Sequence, residues 1–440
     1  MFYVLRCSFA LCVLSFTLTN MDKLLIEGGV ALRGEVTISG AKNSVLPIMA
    51  ATLLTDDACI IKGVPDLRDT NTMCKILRCL GKNVDFDHGI ATVTRGKSCN
   101  YVADYRLVST MRASFCVLGP LLAKFKKAKV SLPGGCVIGI RPVDLHLKGM
   151  KALGAEINIE SGYVVATAEK LKGNLIYLGG IFGSSVLATD NVMMAAVLSH
   201  GKTIIESAAC EPEVSDLAEF LIKMGARIKG HGTPIIEIEG VKHLHGAEHR
   251  IIPDRIEAGT FMLAALITRG DITIKNVLSQ HVGALIDKVQ ETGAHIIKKD
   301  SSLRVYAKRQ LKPVNITTFP FPGFATDMQA QFMSLMSVTP GVSVITEKVY
   351  PDRFMHVAEL NRMGANIQRE GPHAIISGEK FLSGAPVMAS DLRASACLVL
   401  AGLVGRGKTA VSRIYHLERG YENIEQKLEK IGAKVWREKE

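Results

Sequence analysis

The sequence predicts an α/β protein of two domains, each made of three copies of a strand–helix unit whose most apolar helix is buried. Three observations predict it. A helical pattern ending in Gly, then a small residue and a strand, recurs six times. A second helix, apolar on all sides and therefore buried, belongs to each copy. A chain of 440 residues is too long for one ordinary core, and six units split naturally as three plus three.

In chain order the copies are Ile76-Leu-Arg-Cys-Leu-Gly81, Met150-Lys-Ala-Leu-Gly154, Leu221-Ile-Lys-Met-Gly225, Val289-Gln-Glu-Thr-Gly293, Leu360-Asn-Arg-Met-Gly364 and Leu428-Glu-Lys-Ile-Gly432. Their glycines fall about 70 residues apart, a longer period than most solenoid repeats. Each sits where a helix C-cap needs a left-handed residue. Met73, Ile76, Leu77 and Leu80 show the apolar spacing of a helix face, as do Ile424, Leu428 and Ile431. The six apolar helices are expected at Asn43–Leu54, Met111–Ala123, Ala188–Leu198, Arg255–Ile267, Asp327–Val338 and Asp391–Val404. Strands follow most of them, at Lys202–Glu206, Asp271–Lys275, Val342–Thr346 and Lys408–Ser412. The domain boundary is expected near Arg250–Pro253. Within each domain the three apolar helices pack together behind sheets, with the amphipathic helices between them as the alternative arrangement.

Residues 1–20 are apolar with a single Arg6, too short for a confident span and without a clear cleavage site. The preferred reading is an upstream start codon, with Met21 the natural first residue, over a targeting signal. Hydrophobic residues at 48% and charged residues at 22% describe a packed, soluble chain. Its net charge of +11 fits nucleic acid, a membrane surface or a small anionic ligand. Aromatics make up only 6% and nowhere interleave with Lys and Arg as a stacking platform would, which favours the small anion. Ten cysteines are scattered without a Cys-x-x-Cys pair, so a reduced, cytoplasmic protein without a metal site is expected. Cys116 and Cys397 lie in apolar runs and read as core residues.

One loop breaks the pattern of the repeats. Between Ser131 and Asp144 a Pro133-Gly-Gly-Cys136 turn is followed by Arg141, Pro142 and Asp144, with Gly134, Gly135 and Gly139 leaving the backbone free to approach a ligand. A thiol beside a fixed cation favours its thiolate and is more reactive than a buried cysteine. The chemistry is that of a hinged lid.

Several helix starts carry charge. Lys42 and Arg112 open helices whose dipoles they oppose, which costs roughly a few tenths of a kcal/mol unless an anion sits there. Thr326-Asp327-Met-Gln329 and Asp254-Arg-Ile-Glu257 read as capping boxes, and Ser390-Asp391-Leu-Arg393 opens the last apolar helix. Asp254 is expected to cap and nothing more. Asp327, after the proline-rich Phe319–Phe324 lead-in, is expected to function. Arg353 and Arg419, in turns before helices, read from the residues alone as solvated or carboxylate-paired arginines.

Together these segments resemble one family. Ile38-Ser-Gly-Ala-Lys42-Asn43, Thr110-Met-Arg112, Pro133-Gly-Gly-Cys136 through Arg141-Pro-Val-Asp144, Thr326-Asp327-Met-Gln, Arg353-Phe-Met-His, Asp391-Leu-Arg393 and His416-Leu-Glu-Arg419-Gly-Tyr-Glu resemble, in order from about Met21 to the C-terminus, the bacterial UDP-N-acetylglucosamine 1-carboxyvinyltransferases of peptidoglycan synthesis. The resemblance implies two inside-out α/β domains of three repeats each, the enolpyruvyl transferase fold. It places residues 43–252, with the 131–144 lid, in one domain, and 21–42 with 253–440 in the other.

It also implies roles. Cys136 donates a proton to the methylene carbon of phosphoenolpyruvate, and an epoxide phosphonate of the fosfomycin type is expected to alkylate it. Lys42, Asn43, Arg112, Arg141 and Arg419 surround phosphoenolpyruvate, with Lys42 and Arg419 also counted as catalytic. Asp327 accepts the proton of the attacking 3-hydroxyl. UDP-N-acetylglucosamine is held by Asn43, Arg112, Arg141, Pro142, Val143, Asp144, Leu145, Ser185, Val186, Asp327 and Val349. Arg353, Asp391 and Arg393 support the site. No metal or cofactor is called for, since four cations neutralise the substrate. No nucleic acid or membrane partner is expected, and a monomer is. Two departures bear on nucleotide affinity: Leu187 stands where the family usually has glycine, and Gly183 where lysine is common. The nearest rival, the shikimate-pathway enolpyruvyl transferases, shares fold and chemistry but lacks the Pro-Gly-Gly-Cys lid.

Overall fold

The computed structural model describes residues 22–133 and 143–439. The helices that organise it are α1 (Lys42–Ala51), α2 (Arg68–Cys79), α3 (Leu118–Phe125), α4 (Asp144–Ala152), α5 (Val186–Ala196), α6 (Pro212–Lys223), α7 (Arg255–Ile267), α8 (Gly283–Glu291), α9 (Gln329–Ser337), α10 (His356–Arg362), α11 (Leu392–Gly402) and α12 (Ile424–Lys430). Odd and even members differ in kind. The odd helices present no polar stripe: in α7 twelve of thirteen residues are buried, so it can only lie inside. The even helices are amphipathic, and each ends two residues before one of the six repeat glycines. Those glycines all have left-handed φ: 93° at Gly81, 94° at Gly154, 100° at Gly225, 90° at Gly293, 91° at Gly364 and 98° at Gly432. After α6 the Ala226 N–H reaches back to Leu221 O and Gly225 N–H to Ile222 O, both at 2.9 Å, the paired bonds of a Schellman cap.

Among the described residues, six four-stranded sheets share one plan. A short strand runs parallel to a central strand, and two antiparallel strands complete the sheet on its other side. In the third unit Leu175–Tyr177 lies parallel to Lys202–Glu206, followed by Ile235–Glu239 and Arg227–Lys229. In the sixth, the seat between the strand after α12 (Lys434–Lys439) and Lys408–Ser412 is taken by a strand distant in sequence. The N-terminal strand Asp22–Glu27 fills that seat, with Leu24 opposite Arg437 on one side and Val411 on the other. Two further strands are exchanged: Arg33–Thr37 joins Asp271–Lys275 of the fourth unit, and Glu248–Arg250 joins Cys59–Lys62 of the first.

Two hydrophobic cores result. One gathers residues from Ala41 to Ile251, the other residues from Leu24 to Ile38 and from Ile256 to Val435. We propose that each core is a domain. The chain crosses between them twice, side by side: Ala41 N–H donates to Ile252 O at 2.8 Å and Asp254 N–H to Ser39 O at 2.9 Å. The crossing is tight enough that a Cβ on Gly40 would come within 1.9 Å of Gly63 O, so only glycine fits. Cys116 and Cys397 are fully buried, as their apolar surroundings predict.

Some helix starts differ from expectation. The second apolar helix opens as a 3-10 turn, Arg112–Val117, before α3, and the fifth as Thr326–Met328 before α9. Neither capping box forms. Asp254 does cap α7, accepting from Ile256 and Glu257 N–H at 2.8 and 3.0 Å, but the Glu257 carboxylate turns to Ser39 N–H and Lys427. The Thr326 hydroxyl donates to Glu347, and the Gln329 amide makes no bond back to it. Tertiary partners engage Glu257 in the first case and Thr326 in the second.

Candidate active site

Two carboxylates organise the charged residues where the domains meet. The first is Asp69, in the opening turn of α2. It accepts from Lys42 Nζ at 2.6 Å and from Arg419 Nε at 2.9 Å and Nη2 at 3.3 Å. Lys42 begins α1 at the crossover, and Arg419 ends the 3-10 turn Ile414–Arg419 on the other domain. Asp69 thus ties the two cores together through Arg419, while it holds Lys42 on its own side. The expected mismatch of Lys42 with its helix dipole is met by this carboxylate, not by a vacant anion seat. Burial raises the Asp69 carboxyl pKa, but Lys42 and then Arg419 outweigh it and hold the group below its usual range. Burial lowers the Lys42 ammonium, Asp69 recovers part, and Arg419 and Arg393 add repulsion. An arriving anion would relieve that repulsion.

Sequence reasoning missed Asp69. An acid in a helix's first turn is what the dipole favours anyway, so only its position opposite Lys42 and Arg419 marks it. Asp69→Asn is expected to destabilise the fold by at most about 3–5 kcal/mol, the cost of stranding a buried charge, less the share of Arg419 that stays in water. A melting curve checks this. An unchanged Tm would show that the two cations find other partners.

The second carboxylate is Asp327, in the 3-10 turn before α9. Its Oδ1 accepts from Arg353 Nη1 at 2.7 Å and its Oδ2 from Arg393 Nη2 at 2.9 Å. Arg353 and Arg393 are almost fully buried, while 26% of the Asp327 side chain still reaches solvent. Burial raises the Asp327 pKa, but Arg393 and Arg353 together bring it well below 3.8. Arg353 and Arg419 are therefore both carboxylate-paired. Asp391 caps α11, accepting from Arg393 and Ala394 N–H at 2.8 and 3.1 Å, which fixes the backbone from which Arg393 reaches Asp327. Around Asp69 two cations face one carboxylate, whereas in the Asp327 cluster Asp391 also acts on Arg353 and Asp254 on Arg393.

The other described residues expected to bind lie in the first domain, except Val349 of the second. Asn43 follows Lys42 in α1, and Arg112 opens its 3-10 turn, close enough to His146 to help depress that imidazole after burial, to about 3. Val143 packs on the first core, Asp144 opens α4 exposed, and Leu145 faces the Gly179–Ser184 hairpin, where a Cβ on Gly180 would lie 3.2 Å from its Cδ1. Ser185 caps α5 at Ala188 N–H (3.4 Å), and Val186 begins that helix. Val349 N–H donates to Glu347. Cys136, Arg141 and Pro142 lie outside the described residues. Gly183 has φ of 96°, so a lysine would be strained there, and the Leu187 side chain packs on the first core.

Comparison with known proteins places this geometry. The family model described as EPSP synthase (3-phosphoshikimate 1-carboxyvinyltransferase) matches residues 26–428. The chain is 56% identical over 420 residues to the UDP-N-acetylglucosamine 1-carboxyvinyltransferase of Geotalea uraniireducens (strain Rf4), covering 96% of this chain and all of the relative. It is 54% identical to the enzyme of the same name from Myxococcus xanthus (strain DK1622), covering 95% and 100%. Among solved structures, the enolpyruvyl transferase NikO of Streptomyces tendae superposes with a TM-score of 0.86 at 24% identity, over 96% of this chain and 100% of that one. An EPSP synthase of Acinetobacter baumannii gives 0.73 at 17% identity, over 95% and 100%. The structural likenesses establish the fold, with α-helices and sheets arranged as in the enolpyruvyl transferases.

Proposed function

The chain belongs to the UDP-N-acetylglucosamine 1-carboxyvinyltransferase family, and we propose that the two carboxylate-centred clusters between its domains carry that family's reaction. The chain transfers the enolpyruvyl group of phosphoenolpyruvate to the 3-hydroxyl of UDP-N-acetylglucosamine and releases phosphate, a step of peptidoglycan synthesis. The roles of individual residues are our reading. What carries it is one buried carboxylate, Asp69, that holds both Lys42 at the chain crossover and Arg419 of the second domain.

Phosphoenolpyruvate brings a phosphate and a carboxylate. Lys42, Arg419, Arg112 and Arg141 are the cations to receive them, and domain approach brings the first two together. Asn43 lies beside Lys42 for the sugar. The nucleotide lies along Arg141–Leu145 and the start of α5, where Ser185 and Val186 hold free helix N–H groups toward its phosphates. Val349 borders the sugar. Arg353, Asp391 and Arg393 hold Asp327 in place.

The hydroxyl adds to the substituted vinyl carbon while Cys136 protonates the methylene, so positive charge develops at the carbon under attack. A carboxylate held as low as Asp327 is a weak base toward a resting alcohol. It becomes sufficient once the C–O bond is forming and the hydroxyl is turning acidic. Phosphate then leaves toward cations already aimed at it, and the new methyl group gives up a proton so that the double bond is restored in the product.

The test is phosphate release from phosphoenolpyruvate. It is expected to require UDP-N-acetylglucosamine and to be absent with shikimate 3-phosphate in its place. Equal release with either acceptor, or none with the nucleotide sugar, contradicts the reading.

A further inference from the structure

Glu347 follows the strand Gly341–Thr346, is fully buried, and is met by donors at both carboxylate oxygens. Its Oε1 accepts from Thr318 Oγ1 at 2.7 Å and from Val349 and Tyr350 N–H at 2.9 Å each. Its Oε2 accepts from Thr326 Oγ1 at 2.9 Å. These donors come from three segments: the strand end at Thr318, the turn carrying Asp327, and the Val349–Arg353 turn. Burying a carboxylate is costly unless hydrogen bonds replace its water, and four do.

The bonds also have direction. A carboxylate only accepts, so the Thr326 hydroxyl must spend its hydrogen on Glu347. Its lone pairs then face Arg353, whose Nη1 donates to Thr326 Oγ1 at 3.1 Å and to Asp327 Oδ1 at 2.7 Å. Thr318 is set the same way, accepting from Lys348 N–H at 2.9 Å while donating to Glu347.

We propose that Glu347 is a positioning residue for the transfer reaction: through the Thr326 hydroxyl it fixes Arg353, and through Arg353 the direction in which Asp327 faces the sugar. This deepens the reading of Asp327 as the proton acceptor and rests on it. The same carboxylate pins Val349 and Tyr350, so the base and the sugar wall keep one register. An amide in its place would offer N–H toward Thr326, turn that hydroxyl around, and loosen the Asp327–Arg353 pair without changing the side chain's size.

The experiment is a double-mutant cycle on kcat, with melting curves to verify folding. Glu347→Gln is expected to lower kcat about 10- to 100-fold, as a misdirected reacting group does, with KM for phosphoenolpyruvate within about twofold of wild type because Lys42 and Arg419 are untouched. In a chain already carrying Asp327→Asn, the same change should cost nothing further, since its effect runs through Asp327. Thr326→Val, which keeps shape and loses the hydroxyl, should reproduce the loss and decides the matter if Glu347→Gln does not fold. An unchanged kcat in the folded variant, or an equal loss with and without Asp327, overturns the proposal. Wild-type turnover by Asp327→Asn alone would instead count against Asp327 as the base, and is read separately from Glu347.

Discussion

Asp327→Asn is expected to lower kcat by about 10²- to 10⁴-fold, the range that a positioned acid or base contributes. The amide keeps the volume and leaves Lys42, Asp69 and Arg419 in place, so KM for phosphoenolpyruvate should move little. The loss belongs to the chemical step. A second consequence is structural. Arg353 and Arg393, both nearly fully buried, would face a neutral group and lose their shared counter-charge. Stranding buried charge costs about 3–5 kcal/mol, at the low end here because 26% of the Asp327 side chain meets water.

The pH dependence follows from the sign of the shift. The native pKa of Asp327 lies well below 3.8, its ordinary value. The unfolded state therefore binds the proton more readily, and the stability gained from the arginines is complete above about pH 3.8 and is lost as pH falls through the native value. Acid unfolding followed by circular dichroism should be steeper below pH 3.8 in the wild type than in Asp327→Asn. Identical acid limbs would mean that the two arginines do not hold this carboxylate in solution.

Cys136→Ser is expected to abolish turnover, since a hydroxyl is too weak an acid to protonate the methylene carbon at neutral pH. Cys136→Asp should retain measurable activity, because a carboxylic acid can also supply the proton. The pair separates proton donation from mere occupancy of the loop, as serine is the closer match in size. Steady-state phosphate release measures both. Full activity in Cys136→Ser would remove the cysteine from the mechanism.

Much of the fold was legible because its signals are local. Each repeat glycine announces a left-handed residue, and helices such as α7 show by their unbroken apolarity that they lie inside. The seat of the Asp22–Glu27 strand was not legible from the residues. An alternating strand does not say which sheet it completes, and its partners lie some 400 residues away. Lys42 and Arg112 stood out because a cation at a helix start opposes the dipole, and Asp327 because of the proline-rich Phe319–Phe324 lead-in before it. Asp69 and Glu347 did not, since one looks like an ordinary first-turn acid and the other like a glutamate after a strand. Their importance lies in contacts to residues distant in sequence. The capping boxes at Thr326 and Asp254 failed for the same reason: Thr326 and Glu257 are engaged by residues distant in sequence.

The most direct test of the site is a crystal structure of the protein with UDP-N-acetylglucosamine and an epoxide phosphonate analogue of phosphoenolpyruvate. The phosphonate is predicted within hydrogen-bond distance of Lys42 Nζ and the Arg419 guanidinium, with the sugar 3-hydroxyl on the Asp327 carboxylate. A phosphonate bound away from Lys42 and Arg419, or a sugar whose 3-hydroxyl faces away from Asp327, would contradict the account.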